Sequence, residues 1–465
     1  MATEYLDCEI EIQPRNGDVF PFSFTAPGGD ARGSLRLPTT NPTYQDLAHR
    51  LASLDTDEEL LTQLGQLLFE ALFRDKVKEV YVRTQGGLQP GQGLRLKLNI
   101  AAGEGDVAAL PWEFLYDPDQ GPLAMLDVSI VRYLPQSAPI PRLKTNLPLK
   151  MLLTGAQPTS LAQAGIGQEL EEVRAALTDL AHDQRIQIAV DPHLTRGNLQ
   201  RYLRQGFHIW HFAGHGEFAA NGQSGRLVLE EADGDAAPIS APELRILLRG
   251  SSVRLIVLDA CESAKLATDP LRSLAPALIA AQVPAVIAMQ FAAPGEATRA
   301  FASEFYRALA EGLPIDACVT EGRKAVMGVT GLGQPDWGIP VVYTRAPDGR
   351  LFDLPAPAPE PAPPVPSSGG VAISIGPGSS LDHSPISVNN VGTIIQGQAG
   401  TSSDRADQIK QLRDLRRIHT QRLHVLELQA AKFGEAWAPA HILIEIGDLK
   451  AKIADLDRQI QELGG

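Results

Sequence analysis

Two stretches of the chain set reactive side chains at the end of an apolar run. In FHIWHFAGHGEF, residues 207–212 read as a strand, and His215 and Gly216 fall in the loop that follows. In VRLIVLDACESA, residues 253–258 read as a strand, with Asp259 and Cys261 directly after it. A thiol is a competent nucleophile at neutral pH only with a base within hydrogen-bond reach. Neighbouring strands of one sheet can deliver an imidazole and a thiol together, so His215 and Cys261 are the pair to follow.

The other candidates do not carry the chemistry as well. Cys318 lies in a second Asp-Ala-Cys run, but inside the helical pattern of 315–326 with no strand before it, and Cys8 sits in an alternating segment with no histidine nearby. Both read as buried structural residues. His208, His211, Asp259 and Cys261 together offer zinc-type ligands. Yet His208 and His211 are an odd number of residues apart in a strand and so point to opposite faces. No second cysteine pair and no H-E-x-x-H helix accompanies them, so no metal is expected, and His211 reads as a strand residue that orients the loop. The absence of G-x-x-x-x-G-K-[ST] argues against a built-in ATP switch, and no other cofactor is expected. Ser224 lies in NGQSGR rather than G-x-S-x-G, which removes the simplest serine-hydrolase reading.

The elements that must position these residues follow from rhythm. Strand-length apolar runs at 149–154, 186–190, 207–212, 226–229, 253–258, 285–289 and 341–343 alternate with helical stretches at 169–180, 241–248, 297–309 and 315–326. This alternation predicts an α/β fold, a mostly parallel sheet flanked by helices, over residues 146–350. Open sheets of this kind hold ligands at the carboxyl ends of their strands, where both candidate residues fall. Residues 1–145 read as an N-terminal α+β module. It has strands at 7–13 and 94–100, the latter with Arg95, Lys97 and Asn99 on the face opposite its leucines, and helix from 44 to 73. In its LPWEFLYD run, Trp112 and Phe114 are expected to be buried and to seal the module onto the next domain.

The C-terminal third changes character. Residues 351–370 are a proline-rich linker, and 371–400 contain short alternating segments too brief to stand alone. Residues 401–465 read as a helical hairpin or coiled coil, with Ile442, Ile446, Leu449, Ile453, Leu456, Ile460 and Leu463 stepping 4-3-4-3-4-3. A self-contained bundle and an adaptor that docks a protein partner or a second copy both satisfy that seam.

Composition bounds the class. The 465 residues carry a net charge of −14 with 44% hydrophobic residues, enough to build ordinary cores. The acidic balance, with a pI near 5.2, argues against nucleic acid or an anionic membrane as a partner. Three cysteines are too few for a disulfide framework, the opening MATEYLDCEIEI is charged where a signal peptide is apolar, and no long apolar run follows. A cytoplasmic protein is expected.

The order of the candidate pair, histidine first and thiol about 46 residues later, resembles the caspase arrangement. With HFAGHGEF, LIVLDACESA, PAVIAMQF, FASEFYRALAEGLP and WGIPVVY, the chain resembles the CHAT-domain family, bacterial caspase-like (clan CD) cysteine peptidases related to separase. The motifs span about 149–343, and LRLKLNI with LPWEFLYD resembles the region that often precedes this domain. The resemblance implies a cysteine endopeptidase acting on a protein substrate in bacterial regulated proteolysis or defence. It makes His215 the general base and Cys261 the nucleophile, with the amides of Gly216 and Cys261 as the oxyanion hole. A glycine amide can approach a substrate carbonyl closely, which suits that role. It also gives Asp259 two readings, the acid of a pocket for a basic side chain or a buried strand-end residue bonded to backbone. One departure from the family pattern is Gly295-Glu296, where many relatives have Asp. A catalytically silent caspase-like scaffold is the rival expectation.

Overall fold

The computed structural model describes residues 4–135, 140–161, 165–218, 225–260, 270–291 and 293–355, together with Lys450, Leu456 and Arg458. Cys261 lies outside the described residues, as do the readings made for 371–400, nearly all of 401–465 and the linker beyond 355. The chain divides into two compact units, Met1–Pro363 and Pro364–Gly465, and the description below concerns the first.

Thirteen strands form its main sheet. In chain order they are β1 (Glu4–Ile12), β2 (Phe20–Ala26), β3 (Gly29–Leu35), β4 (Gln92–Ile100), β5 (Val128–Tyr133), β6 (Leu149–Ala156), β7 (Ile186–Asp191), β8 (Ile209–Phe218), β9 (Gly225–Glu230), β10 (Ala236–Ser240), β11 (Leu255–Ala260), β12 (Ala285–Met289) and β13 (Pro340–Thr344). The spatial order is β7-β6-β8-β11-β12-β13-β5-β4-β1-β2-β3, with β9 and β10 attached to β8. The pairs from β7 through β12 are parallel, as the alternation of apolar runs and helices predicts. β13 runs antiparallel to β12, and the β1–β2–β3 meander is antiparallel. The sheet passes without a break from β13 to β5 and β4, so it is continuous across the boundary placed near residue 145.

Strand alternation sends successive side chains to opposite faces, and both faces of the central strands are covered. Ile209, Leu255, Val257 and Ile287 join one core with helices α4 (Ile166–Ala176), α7 (Gly295–Ala310) and α8 (Ile315–Thr330). Trp210, Phe212, Ile256, Leu258 and Val286 join the other with α5 (Ala241–Leu248) and α6 (Pro270–Ala280). The predicted helical segment at 44–73 is two helices, α1 (Pro42–Ala52) and α2 (Glu58–Leu72), followed by α3 (Asp75–Gly86). Asn41 and Asp57 cap the first two by accepting from the amides of Thr43 and Leu60.

Trp112 and Phe114 are buried as expected, and Phe114 meets Trp337 edge-on at 4.9 Å. Their neighbour Glu113 is buried too, taking two-pronged bonds from Arg132 at 3.0 Å and one from the Gln290 amide at 3.2 Å. The polar face of β4 is likewise buried rather than exposed. Arg95 and Lys97 are each under a twentieth exposed: Arg95 grips Asp316 of α8 through Nε at 2.8 Å, and Lys97 reaches Asp7 at 2.6 Å. Alternating charges on a strand therefore mark a second covered face, with α8 as the cover.

Candidate active site

β8 and β11 lie side by side in parallel, and their register ends with Gly214 opposite Ala260. These are the residues that immediately precede His215 and Cys261 in the chain. The reading of His215 and Gly216 as loop residues is corrected here. β8 continues through Phe218, because its outer half leaves the parallel ladder and pairs antiparallel with β9, His215 facing Val228 and Gly216 facing Leu227. The β9–β10 hairpin supplies the partner that a strand end otherwise lacks, and the cross-strand pair Glu217–Arg226 adds an ion pair at 2.5 Å. His215 is half-buried, and its Nε2 has no hydrogen-bond partner among the described residues.

Gly214 explains how the strand passes so close to its neighbours. A Cβ there would lie 2.6 Å from the Phe212 ring and 3.2 Å from the Ala156 carbonyl oxygen, and Phe212 is fully buried. Only glycine leaves room for this turn of the ladder just before His215.

Asp259 is buried on β11, on the face that carries His211 of β8. Glu169, in the first turn of α4, completes a group that the sequence did not reveal: an oxygen of Glu169, an oxygen of Asp259 and a ring nitrogen of His211 lie within 4.8 Å of one another. Two carboxylates and an imidazole so close together form a cation-seeking arrangement. The His211 Nδ1 shares a hydrogen bond with the Tyr306 hydroxyl of α7 at 2.8 Å, and its Nε2 is buried with no partner among the described residues. Burial pushes the His211 pKa down to about 4, so the ring is neutral at physiological pH. Tyr306 moves the other way, well above the phenol range, through burial and the negative charge of Asp259. A cavity of about 20 Å³ beside them, reached by Phe301 and Met289, has room for about one water molecule and none for a substrate.

His208 stands apart from this group. It accepts from the Lys150 amide through Nδ1 at 3.2 Å, and burial with the charges of Lys150 and Arg254 lowers its pKa to about 4. The two described cysteines are inert. Burial raises the Cys8 thiol to about 12 and carries Cys318 well above its ordinary value.

A mostly parallel sheet covered on both faces, with an imidazole and a buried carboxylate on adjacent strands where their parallel ladder ends, defines an α/β protein. The model of the CHAT domain family matches residues 58–337, more than half of the sequence. The chain belongs to that family, and the match begins within the N-terminal module, well upstream of 149. No curated protein matches the sequence. Among solved structures, it is similar to the Arg-specific cysteine proteinase gingipain R at 14% identity over 62% of this chain and 70% of that one, TM-score 0.39. A complex of the Porphyromonas gingivalis RgpB pro- and mature domains gives 14% identity over 62% and 72%, TM-score 0.37. The Saccharomyces cerevisiae separase–securin complex gives 11% identity, TM-score 0.32, over 58% of this chain and only 17% of that one. Among the described residues no helix is long and apolar enough to cross a membrane.

Proposed function

We propose that the chain is a cysteine endopeptidase, with His215 as general base and Cys261 as nucleophile, acting in regulated proteolysis in a reducing compartment. The observation that carries this reading is the register of β8 against β11, whose last pair, Gly214 with Ala260, is followed by His215 on one strand and Cys261 on the other. His215 takes the thiol proton as sulfur attacks the scissile carbonyl, then returns it to the leaving amine. Water, deprotonated by the same imidazole, releases the acyl group. The amides of Gly216 and Cys261 are our choice for the oxyanion donors.

Of the two readings of Asp259 we adopt the buried one: it lies with Glu169 and His211 beside a cavity with room for about one water, and no part in substrate recognition is assigned to it. Residues 401–465 are assigned to assembly or to docking of a protein partner.

An active-site-directed thiol probe tests the chemistry. It should label the wild type and fail with Cys261→Ala, and His215→Ala should lose both labelling and peptide cleavage. Cleavage that survives in Cys261→Ala, or that disappears in Cys318→Ala, overturns the assignment, and an unlabelled wild type points to a silent scaffold. In the same assay, truncation after Leu354 should spare peptide cleavage while slowing cleavage of a native protein substrate.

A further inference from the structure

At the opposite end of the sheet from His215, where β11 and β12 begin, the surface holds a recess of about 440 Å³, within the ~300–1,000 Å³ of small-molecule sites. Arg245 reaches it from the last turn of α5, Arg249 and Arg254 from the segment leading into β11, and Gln282 from the turn before β12. Arg249, with Gly250 and Ser251, also borders a second recess of about 430 Å³ that adds Arg204. Gly250, at φ +77°, makes the reversal that leaves Arg249 between the two.

Among the described residues the charge here is uncompensated: no carboxylate lines either recess, and Arg204, Arg245 and Arg249 make no ion pair. Arg254 is half-buried. Among the described residues its Nη1 donates to the backbone carbonyls of Ser251, at 3.4 Å, and Val253, at 3.2 Å, and its Nε is buried with no partner. Its ionisable neighbours around His208 include Lys150, another cation, and burial lowers the pKa of Arg254 itself. In a chain of net charge −14, four arginines around two adjoining recesses, with no counter-charge among the described residues, are not a sample of the composition. Planar guanidiniums with free donors are suited to two-pronged contacts with phosphate oxygens.

We propose that this paired recess binds a small phosphate-bearing molecule of about nucleotide size, with Arg245, Arg249 and Arg254 as its ligands. Each guanidinium supplies charge-assisted donors to the phosphate, and the recess volume limits the remainder of the ligand. Nothing in this assignment depends on peptidase activity.

The test is calorimetric titration of the full chain at physiological salt with inorganic pyrophosphate and, separately, with ATP. Saturable one-site binding is expected, with Kd raised about ten-fold or more by Arg254→Gln. The pair Arg245→Gln/Arg249→Gln, at exposed positions, should do the same and keeps the test valid if Arg254→Gln unfolds. Tighter binding of ATP than of pyrophosphate would show that the recess also reads the nucleoside, and equal binding that phosphate alone is recognised; both support the site. Arg36→Gln, an exposed change far along the chain, should have no effect. The proposal is overturned if neither probe binds at millimolar concentration, or if Arg36→Gln weakens binding equally. It is also overturned if a single-stranded oligonucleotide outcompetes both probes with an affinity that grows with its length, which is the mark of a polyanion track.

Discussion

Acid should destabilise this fold through two histidines, one at the mouth of β8 and one within it. Burial holds His208 and His211 at about 4, against an ordinary value of 6.5. A base depressed in the folded state takes up its proton mainly in the unfolded chain, so the stability is fully present above pH 6.5 and is lost as the pH falls towards 4. Below that the loss levels off. At pH 5 the unfolded side chain is almost fully protonated and the folded one about a tenth so, which costs about 2 kcal/mol per histidine, or about 4 kcal/mol for both. The neighbours differ. Lys150 and Arg254 beside His208 reinforce the effect, whereas Glu169 and Asp259 beside His211 work against desolvation. Urea unfolding at about pH 7.5 and pH 5, followed by tryptophan fluorescence, measures the difference. His208→Gln and His211→Gln should each remove about half of the acid loss. If neither variant changes it, the two rings are not the titrating groups. If His211→Gln instead makes acid more damaging, the ring is protonated between its two carboxylates, and the reasoning from burial is wrong.

Two other outcomes follow from geometry. Gly214→Val should cost about 1–3 kcal/mol of stability, because the new side chain meets a core ring and a carbonyl, and should reduce peptidase activity by more than the lost folded fraction, since His215 is the next residue; activity that merely tracks stability would separate the two. Asp316→Ala should cost about 3–5 kcal/mol by stranding Arg95, which loses bonds of 2.8 and 3.2 Å, and by leaving the Ser129 hydroxyl without its 2.7 Å acceptor. A denaturant midpoint that implies less than about 1 kcal/mol would show that Asp7 alone neutralises Arg95.

What could be read in advance was what a local pattern encodes. The apolar run at 285–289 and the helical stretch at 241–248 coincide with β12 and α5, because burial on both faces demands unbroken apolar residues in the one and a 3.6-residue period in the other. His215 was singled out by type and order, but its conformation was misjudged. Its hydrogen-bond partner is β9, which lies beyond a turn, and HGEF has no apolar run to announce a strand. For Arg95 and Lys97 the alternation gave the face opposite the leucines and not what covers it. Their counter-charges Asp316 and Asp7 are supplied by α8 and β1, and neither pairing leaves a trace in the spacing of β4.

The carboxylate pair at the candidate site shows where such reading ends. Glu169, His211 and Asp259 come from three elements whose separation in the chain follows no period, so only the topology unites them. What lets them meet is a residue with no chemistry of its own. A Cβ on Gly155 of β6 would lie 2.8 Å from both Ile166 Cγ2 and Leu170 Cδ1, the two α4 side chains that straddle Glu169. A larger residue would force both side chains, which pack α4 on β6, to shift. The close seat of the helix turn that carries Glu169 therefore rests on a strand position that neither carboxylate occupies.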